Sequence, residues 1–271
     1  MKIGLVGAEN SHTLQFCEAL NVRHIAEGIR VTHVYGDDSP ENAAKMAKDF
    51  GLAICESEEE LLAACDAVVV TYRCGTRHFE PVMRALRAGK AVFNDKPFAM
   101  TVADAEALAA YAQENGVLLT GGSGSKLMED IAATRAKLGA GSAAMISFGA
   151  DPNSPYDGFW FYGVHSAEMC IALFGEDYKS VTAVRHGKTL TATVSYGDRQ
   201  CVIVTQPDVY DWRITTAVDG AAEQVDLSHE GSFLSVRDFA SMLQTGKTVY
   251  PLSHYVAATR LMQDIMASAG I

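Results

Sequence analysis

The sequence predicts an α/β protein with an N-terminal doubly wound parallel sheet and a C-terminal α+β domain whose sheet is mostly antiparallel. Three observations support this. Over residues 1–120 short apolar runs alternate with helical patterns; a glycine-serine stretch, GGSGS at 121–125, breaks the alternation; and beyond it strand-like runs follow one another across short turns. The 271 residues are 48% hydrophobic and 20% charged, with 23 glycines and only 7 prolines, so there is material for a packed core and no bias toward disorder.

Residues 2–6 read as a strand running into a glycine turn, 11–27 carry helical spacing, and 31–35 form a second strand. Asp38-Ser39-Pro40-Glu41 starts a helix, with a capping side chain and proline in the first turn, and Gly51 stands at its C′ position. DAVVVT at 66–71 is an unbroken apolar run, as expected of a strand buried on both faces. Phe79, Val82, Met83 and Leu86 mark one face of a helix that stops at Gly89, and 91–94 is the next strand. Thr101 with Asp104 resembles a capping box for a helix that Gly116 closes, ahead of a strand at 117–120. GGSGS then reads as a flexible hinge between a domain at 1–122 and another at 123–271. Beyond it come helices at 129–138, 161–174, 232–243 and 254–269, a strand at 144–148, and strands clustered between 181 and 225.

Twenty-two basic against 33 acidic residues give a net charge of −11, a surface that repels nucleic-acid backbones and anionic lipid headgroups. No apolar run reaches the length of a bilayer span, and MKIGLVGAEN enters a strand directly, so a cytoplasmic protein with a small-molecule partner is expected. The six cysteines show no CxxC spacing and read as reduced core residues.

Ligands of open α/β sheets bind beyond the carboxyl ends of the strands. The first such loop, Gly7-Ala8-Glu9-Asn10-Ser11-His12, keeps the first glycine of the dinucleotide fingerprint and replaces the other two with Glu9 and His12. A carboxylate about 5 Å from a pyrophosphate charge costs roughly 3 kcal/mol at an effective dielectric near 20, so Glu9 must turn away or be paired. Asn10, Ser11 and a charged His12 are candidates to hold a phosphate; the plainer reading is a helix cap. After the second strand, Asp37 is the candidate acceptor for the adenosine ribose hydroxyls, which favours NAD over NADP, while Asp38 reads as a helix cap.

The segment 66–101 then brings together Thr71 at a strand end, His78 opening a helix, Ala88-Gly89-Lys90, and Asp95-Lys96-Pro97; Gly163-Val164-His165-Ser166-Ala167-Glu168 follows further on. This combination resembles the glucose-fructose oxidoreductase, inositol dehydrogenase and MocA (Gfo/Idh/MocA) family. The resemblance implies a Rossmann domain holding a nicotinamide cofactor, with Thr71, Tyr72, His78 and Asp95 added to its contacts. It implies a second domain that covers the nicotinamide and substrate. It also implies that Lys96 stands near the reacting carbon, that Pro97 is cis, and that His165 is the acid/base. Members that oxidise sugar or polyol hydroxyls usually carry an aspartate four positions before that histidine, where this chain has Phe161. Lys126, Trp160 and Tyr162 are candidate substrate contacts, although an aromatic stripe also suits a core. The favoured reading is an NAD-dependent oxidoreductase acting as a homodimer or homotetramer, without a metal. The alternatives are a relative that kept the fold as a ligand-binding or regulatory protein, and a metal-dependent lyase or isomerase built from His12, His78, His165 and Glu9.

Overall fold

The computed structural model describes residues 1–209, 212–218, 220–227 and 231–271. The first half forms a parallel sheet from β1 (Lys2–Val6), β2 (Arg30–Tyr35), β3 (Ala53–Ile54), β4 (Ala67–Val70), β5 (Ala91–Asn94) and β6 (Leu119–Gly121), in the spatial order β3-β2-β1-β4-β5-β6. The chain starts at the centre, works to one edge and returns to the other side, so the winding reverses between β1 and β4. Its helices are α1 (Ser11–Cys17), α2 (Pro40–Phe50), α3 (Glu58–Ala64), α4 (Phe79–Arg87) and α5 (Val102–Asn115). β4 is buried along its whole length, as its apolar run requires.

Two local features depart from the expected pattern. β3 and α3 carry no usable period: the strand has two residues, and α3 opens on three glutamates behind a Ser57 cap and buries only Leu61. The helix expected over 11–27 stops at Cys17 and widens into a π-turn, Glu18–Val22. There Asn21 takes both backbone groups of Val31, accepting from its N–H at 2.9 Å and donating to its carbonyl at 2.8 Å. The amide side chain thus substitutes for a strand neighbour.

The second half contains α6 (Glu129–Lys137), β7 (Ala143–Phe148), α7 (Trp160–Phe174), β8 (Ser180–His186), β9 (Thr189–Ser195), β10 (Gln200–Thr205), β11 (Arg213–Val218), β12 (Ala221–Asp226), α8 (Gly231–Thr245) and α9 (Leu252–Ala269). Its sheet runs β12-β11-β7-β10-β9-β8, antiparallel apart from the parallel pair β7 and β10. Leu190, Ala192 and Val194 of β9 and Cys201 and Ile203 of β10 alternate inward to one core with α7 and α9. The cysteines are free, and all but Cys74 are buried. Among the described residues no helix is long and apolar enough to cross a membrane.

The hinge is not slack. Ser123, Gly124, Ser125 and Lys126 are buried, and a Cβ on Gly124 would lie 1.7 Å from the Gly231 carbonyl oxygen. Glycine is required for the close approach of two backbones rather than for flexibility. Lys126 Nζ donates to the Gly121 and Ser123 carbonyls at 2.9 and 2.8 Å and to Glu168 at 2.8 Å, with both side chains 1% exposed. The expected division after residue 122 is also crossed by α8. Its Phe239 sets an edge against Phe16 and Phe93, at 6.1 and 5.8 Å between ring centroids, inside the core of the first sheet.

A buried ion is costly once its partner is removed. Lys126→Met should therefore lower unfolding stability by about 3–5 kcal/mol in urea titrations, and adding Glu168→Gln should restore part of that loss.

Candidate active site

The loops after β1, β4 and β5 gather at the carboxyl edge of the parallel sheet, where its winding reverses. Gly7 has φ +96°, and a Cβ there would come 3.0 Å from the Tyr72 amide nitrogen, so the β1 and β4 loops touch at a point only glycine allows. Asn10 caps α1 by accepting from the His12 amide at 3.1 Å, and its own amide group donates to Asp95 at 2.9 Å. His12 Nδ1 closes on the same carboxylate at 2.8 Å. Burial opposes ionisation of Asp95, but the His12 charge and hydrogen bond, helped by Lys96, outweigh it and hold the carboxyl at about 2. The Asn10 and Ser11 backbone N–H groups have no acceptor among the described residues, and Ser11 is exposed.

Glu9, the residue least suited to a phosphate loop, is paired. Arg73 Nη1 stands 3.5 Å from its carboxylate, and the Tyr156 hydroxyl, from the other half of the chain, donates to it at 3.1 Å. Arg73 also donates to that hydroxyl at 3.1 Å and lies over the Tyr156 ring at 4.2 Å. Close by, Thr76 donates to Asp157, a second bond between the β4 loop and the segment 149–158.

At the end of β2, Asp38 does not cap α2. Ser39 holds that position, and Asp38 accepts from the Ala8 and Glu9 amides at 2.8 and 3.1 Å, bracing the first loop. Asp37 accepts from the Tyr72 hydroxyl at 2.8 Å and from Arg77 at 2.6 Å. Thr71 is buried with its hydroxyl against the Val6 and Gly7 carbonyls.

Lys96 follows β5 across a cis bond to Pro97 and is 4% exposed. Its ammonium donates to the Phe161 carbonyl at 3.1 Å and lies 4.0 Å above that residue's ring. Burial draws its pKa down to about 8; the Asp95 charge resists this and Arg73 adds to it. His165, 8% exposed on α7, meets the Ser123 hydroxyl through Nδ1 at 2.6 Å. Burial, then the charges of Lys96 and His12, push it to about 3, so the ring is neutral at ordinary pH. Beside this pair lies a cavity of about 290 Å³, walled by Asp151, Tyr156, Phe161, Tyr162, Asp208 and Trp212. Phe161 and Tyr162 line it and also carry Lys96 over their rings, Tyr162 packs on His165, and Trp212 stacks on Phe148, which packs on His165.

Lys96 and His165 thus border the same Tyr162 ring, and Asn10 and His12 meet on Asp95, while three expected site residues serve the scaffold instead. His78 is fully buried, its ring bridging the Tyr72 and Pro97 carbonyls; burial lowers its pKa against the pull of both carbonyls and the Asp95 charge. Lys126 gives its donors to the hinge and Glu168. Trp160 lies in the second core, because helical phase turns 160, 164 and 167 inward while 161 and 162 face the cavity. Tyr72 is buried and reaches the site only through its hydroxyl. The convergence of His12, His78, His165 and Glu9 on a metal does not form, and no group of three or more His, Cys, Asp or Glu among the described residues is placed to hold one. Arg73, Arg77, Ser123 and Tyr156 were not foreseen. The arginines sit beside strand β4, where a signal could have been read, whereas Tyr156 lies in a loop without periodicity.

Residues 1–123 match a family model described as an oxidoreductase family with an NAD-binding Rossmann fold. An uncharacterized oxidoreductase of Streptococcus pneumoniae serotype 4 is 32% identical over 98 residues, 35% of this chain and 26% of that protein. The uncharacterized oxidoreductase YhhX of Escherichia coli K12 is 31% identical over 158 residues, 51% of this chain and 46% of that protein. The matches therefore span less than half the length of either curated relative. The solved UDP-N-acetylglucosamine 3-dehydrogenase GnnA of Acidithiobacillus ferrooxidans shares the fold, with a TM-score of 0.81 at 19% identity over 99% of this chain and 97% of that one.

A carboxyl held near 2 in the fold, against 3.8 ordinarily, stabilises the fold fully above that ordinary value. Its contribution of about 2 kcal/mol should disappear as pH falls from 4 toward 2. Unfolding free energies measured between pH 2 and 5 should fall less steeply in Asp95→Asn than in the wild type.

Proposed function

We propose, from the match of residues 1–123 to the Gfo/Idh/MocA family of oxidoreductases, that the chain is an NAD(P)-dependent dehydrogenase of a sugar, polyol or related small hydroxy compound. The observation that carries this reading is the approach of Lys96, from the carboxyl edge of the parallel sheet, to Phe161 and Tyr162 of α7, which also line an aromatic cavity and of which Tyr162 packs on His165. The residues suit a dinucleotide. Gly7 leaves room for close approach, the Asn10 and Ser11 amides lack acceptors among the described residues, and Arg73 offsets the charge of Glu9. When bound, the nicotinamide would supply the hydride acceptor or donor.

Lys96 is the proton carrier in this reading. Its neutral amine takes the proton of the substrate hydroxyl during oxidation, and its ammonium returns a proton to the carbonyl oxygen in the reverse direction. A pKa of about 8 keeps both forms available near neutrality. His165 stays neutral; Ser123 fixes its ring, and it orients the hydroxyl by hydrogen bonding. Phe161, in place of the aspartate usual in the family, brings no negative charge that would hold Lys96 or His165 protonated. The flat faces of Tyr156, Phe161, Tyr162 and Trp212 suit the C–H face of a sugar ring, and Asp151 and Asp208 can accept from its hydroxyls.

Lys96→Met should lower kcat/KM for the hydroxyl substrate at least about a hundredfold, with NADH affinity changed by less than about threefold in a fluorescence titration. His165→Gln, which keeps a polar group, should lower it about tenfold. Oxidation by the wild type should rise with pH through about 8, and the Lys96 variant should lack that limb. A rising limb that survives in Lys96→Met and disappears in the Lys96→Met, His165→Gln double variant would assign the proton to His165.

A further inference from the structure

The geometry points to Arg77 as the residue that sets cofactor preference: by pairing with Asp37 it admits a 2′-phosphate as well as a free 2′-hydroxyl, so that the protein uses NADP as well as NAD. This rests on the dehydrogenase reading and goes beyond it. A lone carboxylate at the end of the second strand accepts the ribose hydroxyls and repels a 2′-phosphate. At about 5 Å and an effective dielectric near 20 that repulsion amounts to roughly two decades of affinity.

Asp37 is not such a carboxylate. One oxygen accepts from the buried Tyr72 hydroxyl at 2.8 Å, and the other stands 2.6 Å from Arg77 Nη2. Both its oxygens are engaged, and its charge is matched by a guanidinium at contact distance. The guanidinium carbon of Arg77 sits over the Tyr72 ring, 3.8 Å from its centroid, so that ring and Asp37 both hold it in place. The neighbouring Asp38 spends both oxygens on the Ala8 and Glu9 amides. The local charge therefore comes to one acid held by backbone amides and one neutralised by arginine.

The pair is also accessible, with Arg77 41% and Asp37 38% exposed. An ion pair so open to solvent adds little stability, so the guanidinium can turn from Asp37 to a phosphate at small cost. Its planar fork suits phosphate oxygens, and among the described residues Asp37 is the only hydrogen-bond acceptor it has. A lysine would bring the charge without the fork.

The test is a fluorescence titration of the purified chain with NADH and NADPH at one fixed ionic strength, on wild type, Arg77→Ala and Arg77→Lys, with folding checked by circular dichroism. The wild-type dissociation constants should agree within about tenfold. Arg77→Ala should weaken NADPH at least about thirtyfold and move NADH less than about threefold, and Arg77→Lys should fall between for NADPH. A wild type that prefers NADH by more than about a hundredfold, or an Arg77→Ala variant that weakens both cofactors alike or neither, overturns the assignment to Arg77 and leaves the dehydrogenase reading standing. Binding of neither cofactor by the wild type overturns both.

Discussion

The Asp95 carboxylate is the interaction on which the rest of the site depends. It is buried, and it survives there as an anion because His12 and Asn10 close on it from the β1 loop. The same bonds fasten that loop to the end of β5, one residue before Lys96. A carboxylate in low dielectric without such partners would take up a proton, and the loop would lose its anchor. The histidine that stands where the fingerprint expects its last glycine is thus a hydrogen-bond partner for the sheet edge.

Much of the architecture was legible from period and punctuation. The buried run over β4, the αL glycines Gly51 and Gly116 and the alternation in β9 and β10 each announce one element with one physical cause. What escaped had no period to read. β3 is too short to alternate, and the π-turn after α1 carries Asn21, whose tertiary bonds to β2 no local pattern contains. In GGSGS, composition does not distinguish a glycine that permits motion from one that permits contact, and Gly124 is of the second kind.

In the site, legibility followed the chain's own logic of strand ends. Lys96, Asp95 and Asn10 sit where a carboxyl-edge site must draw its residues, and a sequence can point to them. The partners that tune them come from far along the chain or from side chains that look ordinary in isolation. Tyr156 reaches Glu9, Arg77 reaches Asp37, and Ser123 reaches His165. Phe161, read as the loss of a carboxylate, is also a gain: its carbonyl and its ring both hold the ammonium of Lys96. Pairings across 40 residues or more leave no trace in spacing.

The return of α8 to the first sheet bears on how the protein is made. Ribosomes deliver the amino end first, yet Phe16 and Phe93 wait for Phe239 to complete their layer. The nucleotide lobe therefore keeps an open apolar wall during synthesis until residue 239 is available to close it, and until then its core is unfinished.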